Sequence, residues 1–260
     1  MGVGRTAEVL AWGDDLVLKL FYEGYPARWA EAEALATRSV QREGLPVPRV
    51  EGVTEVDGRS GIIFQRVDGP SMLAYVSRPP WPVTRMAHVL ADLHARMHAL
   101  RLPELPPLQS ALEERIQNAL GLSAEEKEAV LGALAVLPEG EGVCHMDFHP
   151  DNVLMSPDGP VIIDWMDAHT GHPLADAART LLMLQMGEPP PGTSGRWLIN
   201  LLRRRFHRAY LKRYGRLRPA PAADLKAWRL PIAAARLGDG IPEERDRLLA
   251  MVRADLSARP

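Results

Sequence analysis

The chain has 260 residues, 46% of them hydrophobic and 25% charged, with a formal net charge of −2. That is the make-up of an ordinary soluble globular protein, and it gives no electrostatic reason to expect nucleic acid or a membrane surface as partner. One cysteine, Cys144, rules out an intramolecular disulfide and a cysteine-rich metal site. Neither a leader-like N-terminal run nor the roughly 20 apolar residues of a membrane helix occurs, so a cytoplasmic setting is expected.

The first 70 residues read as hairpin, helix, hairpin. The apolar runs Val9–Trp12 and Leu16–Phe21 flank Gly13-Asp14-Asp15, and Val53–Val56 and Gly61–Val67 flank Asp57-Gly58, both good hairpin signals. A helix is predicted over about Ala27–Gln41, followed by an extended, proline-bearing Leu45–Val50. Together these make a small antiparallel α+β unit. After Asp68-Gly69-Pro70 the pattern turns helical: Met86, Val89, Leu90, Leu93, Met97 and Leu100 form one apolar stripe. A proline-rich break over 102–108 precedes a helix from about Ala111. Val143–Met155 and Pro160–Trp165 are short apolar segments around polar loops, joined by the turn Ser156-Pro157-Asp158-Gly159. Beyond Pro173 the chain is helical again, with breaks at Pro189-Pro190-Pro191-Gly192 and Pro219-Ala220-Pro221. The expected organisation is a β-rich lobe over residues 1–68 and a larger helical lobe over 69–260.

The chemistry concentrates in His145-Met146-Asp147-Phe148-His149-Pro150-Asp151-Asn152 and in Ile162-Ile163-Asp164-Trp165. Pairing of the two strands through the Asp158-Gly159 turn would bring two carboxylates and a carboxamide together. Such oxygens suit a hard divalent cation such as Mg²⁺, and a remaining aspartate could accept a hydroxyl proton. Protein kinases divide the labour of their catalytic loop in this way.

From Val143 to Leu182 the sequence strongly resembles the aminoglycoside phosphotransferase/choline-kinase-like superfamily. The signature is H-x-D-x-x-x-x-N, an I-D-aromatic segment, and G-x-P-x-x-D-x-A, here Gly171-His172-Pro173-Leu174-Ala175-Asp176-Ala177. The resemblance implies an α+β, protein-kinase-like two-lobed fold and an ATP- or GTP-dependent phosphotransferase that needs Mg²⁺. It implies Asp147 as catalytic base, Asn152 and Asp164 as metal ligands, and His145 and Asp176 as residues that shape the loop. At the N-terminus, Gly2-Val3-Gly4-Arg5-Thr6-Ala7-Glu8-Val9 matches G-x-G-x-x-G-x-V with alanine at the third glycine. Gly2 and Gly4 are then expected over the phosphates and Val9 on the base. Val17-Leu18-Lys19 resembles the V-A-I-K strand, so Lys19 is expected on the α- and β-phosphates. Glu31 is favoured over Glu33 as its acidic partner, and Phe64, Gln65 and Val67 belong to the expected hinge. The family places a strand ahead of its glycine-rich loop, whereas only Met1 precedes Gly2 here.

Blander readings stand beside these. Asp176 is expected to cap or brace backbone amides rather than react. His94 and His98 have metal-binding spacing, but no third ligand lies near in sequence, so they are read as structural. Cys144 is read as a small buried residue. Arg196–Arg218 carries nine Lys and Arg and no acid, as an amphipathic helix with a solvated basic face would. It is also a poor wall for a polycation, which favours neutral or anionic hydroxyl compounds as acceptors. No A-P-E signature follows Asp164, which argues against a protein acceptor. The rival reading is a nucleotide-binding pseudokinase that senses or scaffolds.

Overall fold

The computed structural model describes residues 2–78, 81–187 and 195–258. In chain order the elements are β1 (Gly2–Val3), β2 (Ala7–Ala11), β3 (Leu16–Phe21), α1 (Ala27–Arg42), β4 (Val50–Val56), β5 (Arg59–Gln65), α2 (Met72–Val76), α3 (Val83–Met97), α4 (Leu108–Gln117) and α5 (Ala124–Ala135). Then come β6 (Gly142–Cys144), a 3₁₀ turn (Pro150–Asn152), β7 (Val153–Ser156), β8 (Gly159–Ile162), β9 (His169–Gly171), α6 (Pro173–Met186), α7 (Arg196–Leu217), α8 (Ala222–Ala227), α9 (Arg229–Gly238) and α10 (Pro242–Ser257). The expected break at Pro189-Pro190-Pro191-Gly192 lies outside the described residues. No described helix is long and apolar enough to cross a membrane.

The chain divides into two compact units, Met1–Trp81 with His149–Ala168, and Pro82–Phe148 with His169–Pro260. The division is therefore not a single cut after residue 68. Residues 149–168 group with the N-terminal segment because backbone bonds tie them there: Met155 N–H donates to Pro70 O at 2.8 Å and Ile162 N–H to Pro46 O at 2.7 Å. Gly69 permits the approach. A Cβ at that position would sit 2.3 Å from Met155 O.

The first unit is built on an antiparallel sheet ordered β1-β2-β3-β5-β4. Both predicted hairpins form, and the second turns through Asp57 and Gly58 at positive φ, the primed geometry that matches strand twist. One sheet face packs on α1, where Ala30 and Ala34 meet Ala7, Phe21, Val50, Ile62 and Phe64. Small helix residues let the backbone come close, and Lys19 shares this covered face because it is cross-strand to Val9 and Ile62. β7 and β8 form the expected hairpin, Val153 opposite Ile162 and Ser156 opposite Gly159.

The second unit is helical. Met86, Leu90, Leu93 and Met97 of the predicted stripe lie on the buried side of α3, which packs along α7, while Val89 is half-buried and Leu100 follows the helix end. α9 buries Leu230, Ile232, Ala233, Ala234, Ala235 and Leu237. α4 begins at Leu108, three residues before the predicted start, since Pro107 is tolerated at a helix start, where N–H groups have no intrahelical acceptor. β6 pairs with β9, which leads the chain into α6 beside the His145–Phe148 loop.

Candidate active site

In the first unit, three charged groups converge from distant points of the sequence. Lys19 Nζ donates to both Glu33 carboxylate oxygens at 2.8 and 2.7 Å and to Asp164 Oδ1 at 2.7 Å. The expected pairing with Glu31 is corrected: Glu33 is the partner. Helix periodicity is the reason. Glu33 lies with Ala30, Ala34 and Thr37 on the buried side of α1, while Glu31 is exposed. A buried charge needs a partner, and Lys19 supplies it. Burial alone would lower the Lys19 pKa, but the Glu33 and Asp164 carboxylates outweigh it and hold the amine above its ordinary value. For Glu33, burial outweighs the attraction of Lys19 and lifts the carboxyl to about 6.

Asp164 reaches Lys19 because of its backbone. The β7–β8 ladder continues through Ile163 N–H to Asn152 O at 3.0 Å, so Asn152 is one pair from Asp164. Asp164 itself has φ 65°, a left-handed conformation that turns it off the strand. Its carboxylate is 38% exposed, whereas that of Glu33 is 1% exposed. Trp165, the aromatic that follows, is buried. Asn152 ends the 3₁₀ turn and is itself buried.

The other first-unit candidates stand as follows. Gly2 lies in β1, paired with Val9, and Gly4 begins the turn into β2, with its N–H on Ala7 O at 2.8 Å. A short strand does precede the turn, and the glycine at position 2 is part of it. Val9 lies cross-strand to Lys19. Phe64 and Gln65 are the last residues of β5; the N–H groups of Gln65 and Arg66 donate to Arg49 O and Asp15 O. Val67 follows the strand.

In the second unit, α6 pins the loop that carries Asp147. Asp176 Oδ2 accepts from His145 N–H at 2.6 Å and Oδ1 from Met146 N–H at 3.0 Å. Arg179 Nε donates to Met146 O, and Thr180 Oγ1 to Phe148 O at 2.8 Å. These residues, at i, i+3 and i+4, share one helix face and hold four successive residues of the loop with the help of His145, whose Nδ1 accepts from Asp147 N–H at 3.3 Å. Met146 is thereby kept at φ 61°. Asp147 is partly exposed, with Arg236 Nη1 4.0 Å from its Oδ1. Arg236 is in turn held by both oxygens of Glu244 and by Asp239, which also binds Arg179.

The sequence expectation of no third group near His94 and His98 is corrected by Asp176, which accepts from both Nε2 atoms at 3.1 and 3.2 Å. The three form a buried set with metal-ligand spacing, but their hydrogen bonds account for them. Each Nδ1 faces a tyrosine hydroxyl of α7, Tyr210 for His94 at 2.6 Å and Tyr214 for His98 at 2.7 Å. A carboxylate only accepts, so each imidazole donates from Nε2 and accepts the tyrosine proton at Nδ1. Burial holds His98 neutral, its pKa down at about 3. Burial of Asp176 would raise its pKa, but His94 and His98 together outweigh it and keep the carboxyl well below the usual carboxylate range.

A family model described as the phosphotransferase enzyme family matches residues 4–223. The chain belongs to that family. Among solved structures, it is similar to an aminoglycoside-3′-phosphotransferase of type VIII, at 23% identity over 90% of each chain with a TM-score of 0.64. It is similar to an amicoumacin kinase complexed with AMP-PNP and Ca²⁺, at 12% identity over 97% of this chain and 88% of that one (TM-score 0.62). A gentamicin–APH(2″)-IIa complex matches at 15% identity over 100% and 90% (TM-score 0.61). Likeness at these identities establishes the fold, an α+β protein-kinase-like architecture. Comparison with curated protein sequences gives no match.

Within this phosphotransferase, sequence reasoning missed Arg179, Thr180 and Arg236. For the first two a signal existed: they follow Asp176 by three and four residues on an amphipathic helix. Arg236 had none, since 89 residues separate it from Asp147.

Proposed function

We propose that the protein is a small-molecule kinase that moves the γ-phosphate of ATP or GTP to an acceptor hydroxyl. The observation that carries the reading is the convergence of Lys19, Glu33 and Asp164, drawn from β3, α1 and the end of the β8 segment. A fold without this chemistry has no need to hold a lysine between two carboxylates on a covered sheet face. In this reading Lys19, kept cationic and immobilised by Glu33, binds phosphate oxygens. Gly2, Gly4 and Val9 line the nucleotide's approach, and Phe64, Gln65 and Val67 border the base.

Asn152 and Asp164 would hold the divalent cation. Their donor set fits one: both offer hard oxygen ligands, and the Asp164 carboxylate keeps exposure that Glu33 lacks. The ion supplies neutralisation of charge on the β- and γ-phosphates. Asp147 takes the acceptor hydroxyl proton on its carboxylate, and Arg236 with the α6 pins fixes where that carboxylate points. Catalysis then consists mainly of positioning and electrostatics. The acceptor is a small molecule, and the protein works where nucleoside triphosphates abound, in the cytoplasm.

The deciding experiment is transfer of label from γ-labelled ATP and GTP, with and without Mg²⁺, to a panel of hydroxyl-bearing metabolites and antibiotics. Mg²⁺-dependent labelling of at least one acceptor is expected. Tight nucleotide binding with neither transfer nor hydrolysis across the panel would instead mark a nucleotide sensor.

A further inference from the structure

The second unit holds a cavity apart from the Asp147 loop. It lies where the start of α4, the segment 138–140 and the end of β9 meet Trp228, the residue between α8 and α9. β6 and β9 pair from Cys144–His169 to Gly142–Gly171, and the cavity is at the Gly171 end, away from the loop that follows Cys144. Close approach of its walls is built in, since a Cβ on Gly140 would sit 2.6 Å from His172 Cα. The cavity measures about 220 Å³, the volume of roughly seven water molecules at about 30 Å³ each.

The lining is rich in donors that the fold leaves unmet. α4 starts on Pro107, whose side chain cannot accept a hydrogen bond. The N–H groups of Gln109 and Ser110 are the ones an N-cap oxygen would take, and neither has an acceptor among the described residues. Trp228 is only 2% exposed. Its ring stacks on His172, with centroids 5.5 Å and planes 18° apart, but its indole N–H makes no hydrogen bond among the described residues. A buried indole N–H usually finds a partner. This one is not sealed off, so it keeps access to the cavity that its residue lines. His172 adds a fourth donor. Its Nδ1 accepts from Leu174 N–H at 3.2 Å, which puts the proton of the neutral ring on Nε2. Burial, opposed by Asp224 and aided by Arg218, lowers the His172 pKa and favours that neutral ring.

We propose that this cavity binds the carboxylate of a small organic acid on the N–H groups of Gln109, Ser110 and Trp228. A carboxylate offers acceptors alone, about four lone-pair sites, and the start of a helix favours negative charge. A phosphate dianion fits less well, because no lysine or arginine lines the cavity and exposed Glu139 does. The same Glu139 suits an ammonium group, so amino acids fall within the class. The site takes no part in phosphate transfer, so its test stands apart from the kinase reading.

The test titrates the ¹⁵N-labelled wild-type chain separately with propionate, L-alanine and inorganic phosphate. NMR follows the Trp228 indole resonance and the Gln109 and Ser110 amides. Saturable movement of all three is expected, with a Kd below about 1 mM for propionate or L-alanine. Tighter binding of L-alanine assigns Glu139 to its ammonium, and Glu139→Gln should then bring the two affinities together. Equal binding of propionate makes the carboxylate the whole of the recognition. Trp228→Phe keeps the ring stack, loses the N–H, and should weaken binding by about tenfold or more. Pro107→Asp places a capping carboxylate on the same Gln109 and Ser110 N–H groups and should abolish binding. Full affinity in either variant would overturn the proposal. So would the absence of saturable movement up to about 10 mM, or phosphate binding more tightly than both carboxylates.

Discussion

Asp176→Asn should uncouple the Asp147 loop from α6, and the structure allows the size of the effect to be worked out. Four N–H donors converge on the buried carboxylate, three of them on Oδ2. A carboxamide can put its one oxygen where Oδ2 was. Its NH₂ then faces the Met146 N–H, donor against donor. One buried donor left unmet costs about 1–3 kcal/mol, and three charge-assisted bonds become ordinary ones at a loss of about 1 kcal/mol each. The total is roughly 4–6 kcal/mol, a large share of the roughly 5–15 kcal/mol typical of a domain. Asp176→Ala strands all four donors and should not fold well, so the asparagine variant is the informative one.

The variant should also slow turnover, because Met146 loses the bond that holds it at positive φ and Asp147 follows it. A displacement of about 1 Å at a reacting group is worth about 10²-fold. Urea unfolding of the full chain, read with kcat and nucleotide KM, separates the two effects. The expected pattern is a lower midpoint, kcat down about 10²-fold, and nucleotide KM little altered, since Lys19 and Asp164 belong to the other unit. Stability within about 0.5 kcal/mol of wild type, the range of surface substitutions, would refute the account of Asp176. An unchanged kcat would refute its link to Asp147.

Glu33→Ala should destabilise the protein by about 1–3 kcal/mol through the charged hydrogen bonds Lys19 loses, Asp164 remaining its partner, and Glu31→Ala by no more than about 0.5 kcal/mol; thermal or urea unfolding of the two variants decides between the two glutamates. As pH falls through about 6, Glu33 takes up a proton and stops drawing on Lys19, so nucleotide affinity measured by titration should decline below that pH. Its folded pKa lies above the ordinary 4.5, so protonation favours the folded state: this contribution, about 2 kcal/mol, is full below 4.5 and lost as pH rises through 6. Asp147→Asn should lower kcat by about 10²–10⁴-fold with Mg²⁺–nucleotide binding retained, while Asp164→Asn should raise the Mg²⁺ needed for that binding; calorimetry with a non-hydrolysable triphosphate shows whether the roles are reversed. Kanamycin-like polycations should be poor acceptors, with kcat/KM below about 10⁴ M⁻¹s⁻¹ in a coupled transfer assay.

Local chemistry made much of the fold legible. Asp57-Gly58 and Asp158-Gly159 announce hairpins because few residues accept their turn geometry, and both form. The α3 stripe and the bounds of α1 follow from helical period. The motifs brought Lys19 and Asp164 into one expectation although 145 residues separate them. Between Glu31 and Glu33 the helix face decides: Leu35, one turn after Glu31, is exposed and marks the solvent side of α1. The segment 149–168 joins the first unit through Pro46 and Pro70 carbonyls, and a backbone carbonyl leaves no mark in sequence. The same holds for Arg236, whose approach to Asp147 depends on where α9 packs.

The backbone at the two candidate aspartates follows one logic. Of the described non-glycine residues, Asp57, Met146 and Asp164 have positive φ. Asp57 is in a hairpin turn that requires it. Met146 precedes Asp147, and Asp164 is itself a candidate ligand; neither is in such a turn. Conformations of this kind cost about 1–3 kcal/mol and persist only where the surroundings impose them. Glycine would remove the strain, yet it would also remove what each side chain does. Met146 is fully buried, and Asp164 bonds Lys19. The surroundings that impose the conformation are visible in each case. Asp176 and Arg179 grip both sides of Met146, while Lys19 and the Asn152–Ile163 bond hold Asp164 from either end. Asparagine tolerates the left-handed region about as well as aspartate does. Asp164→Asn therefore leaves this backbone at ease, and its effect on Mg²⁺–nucleotide binding reads the lost charge alone.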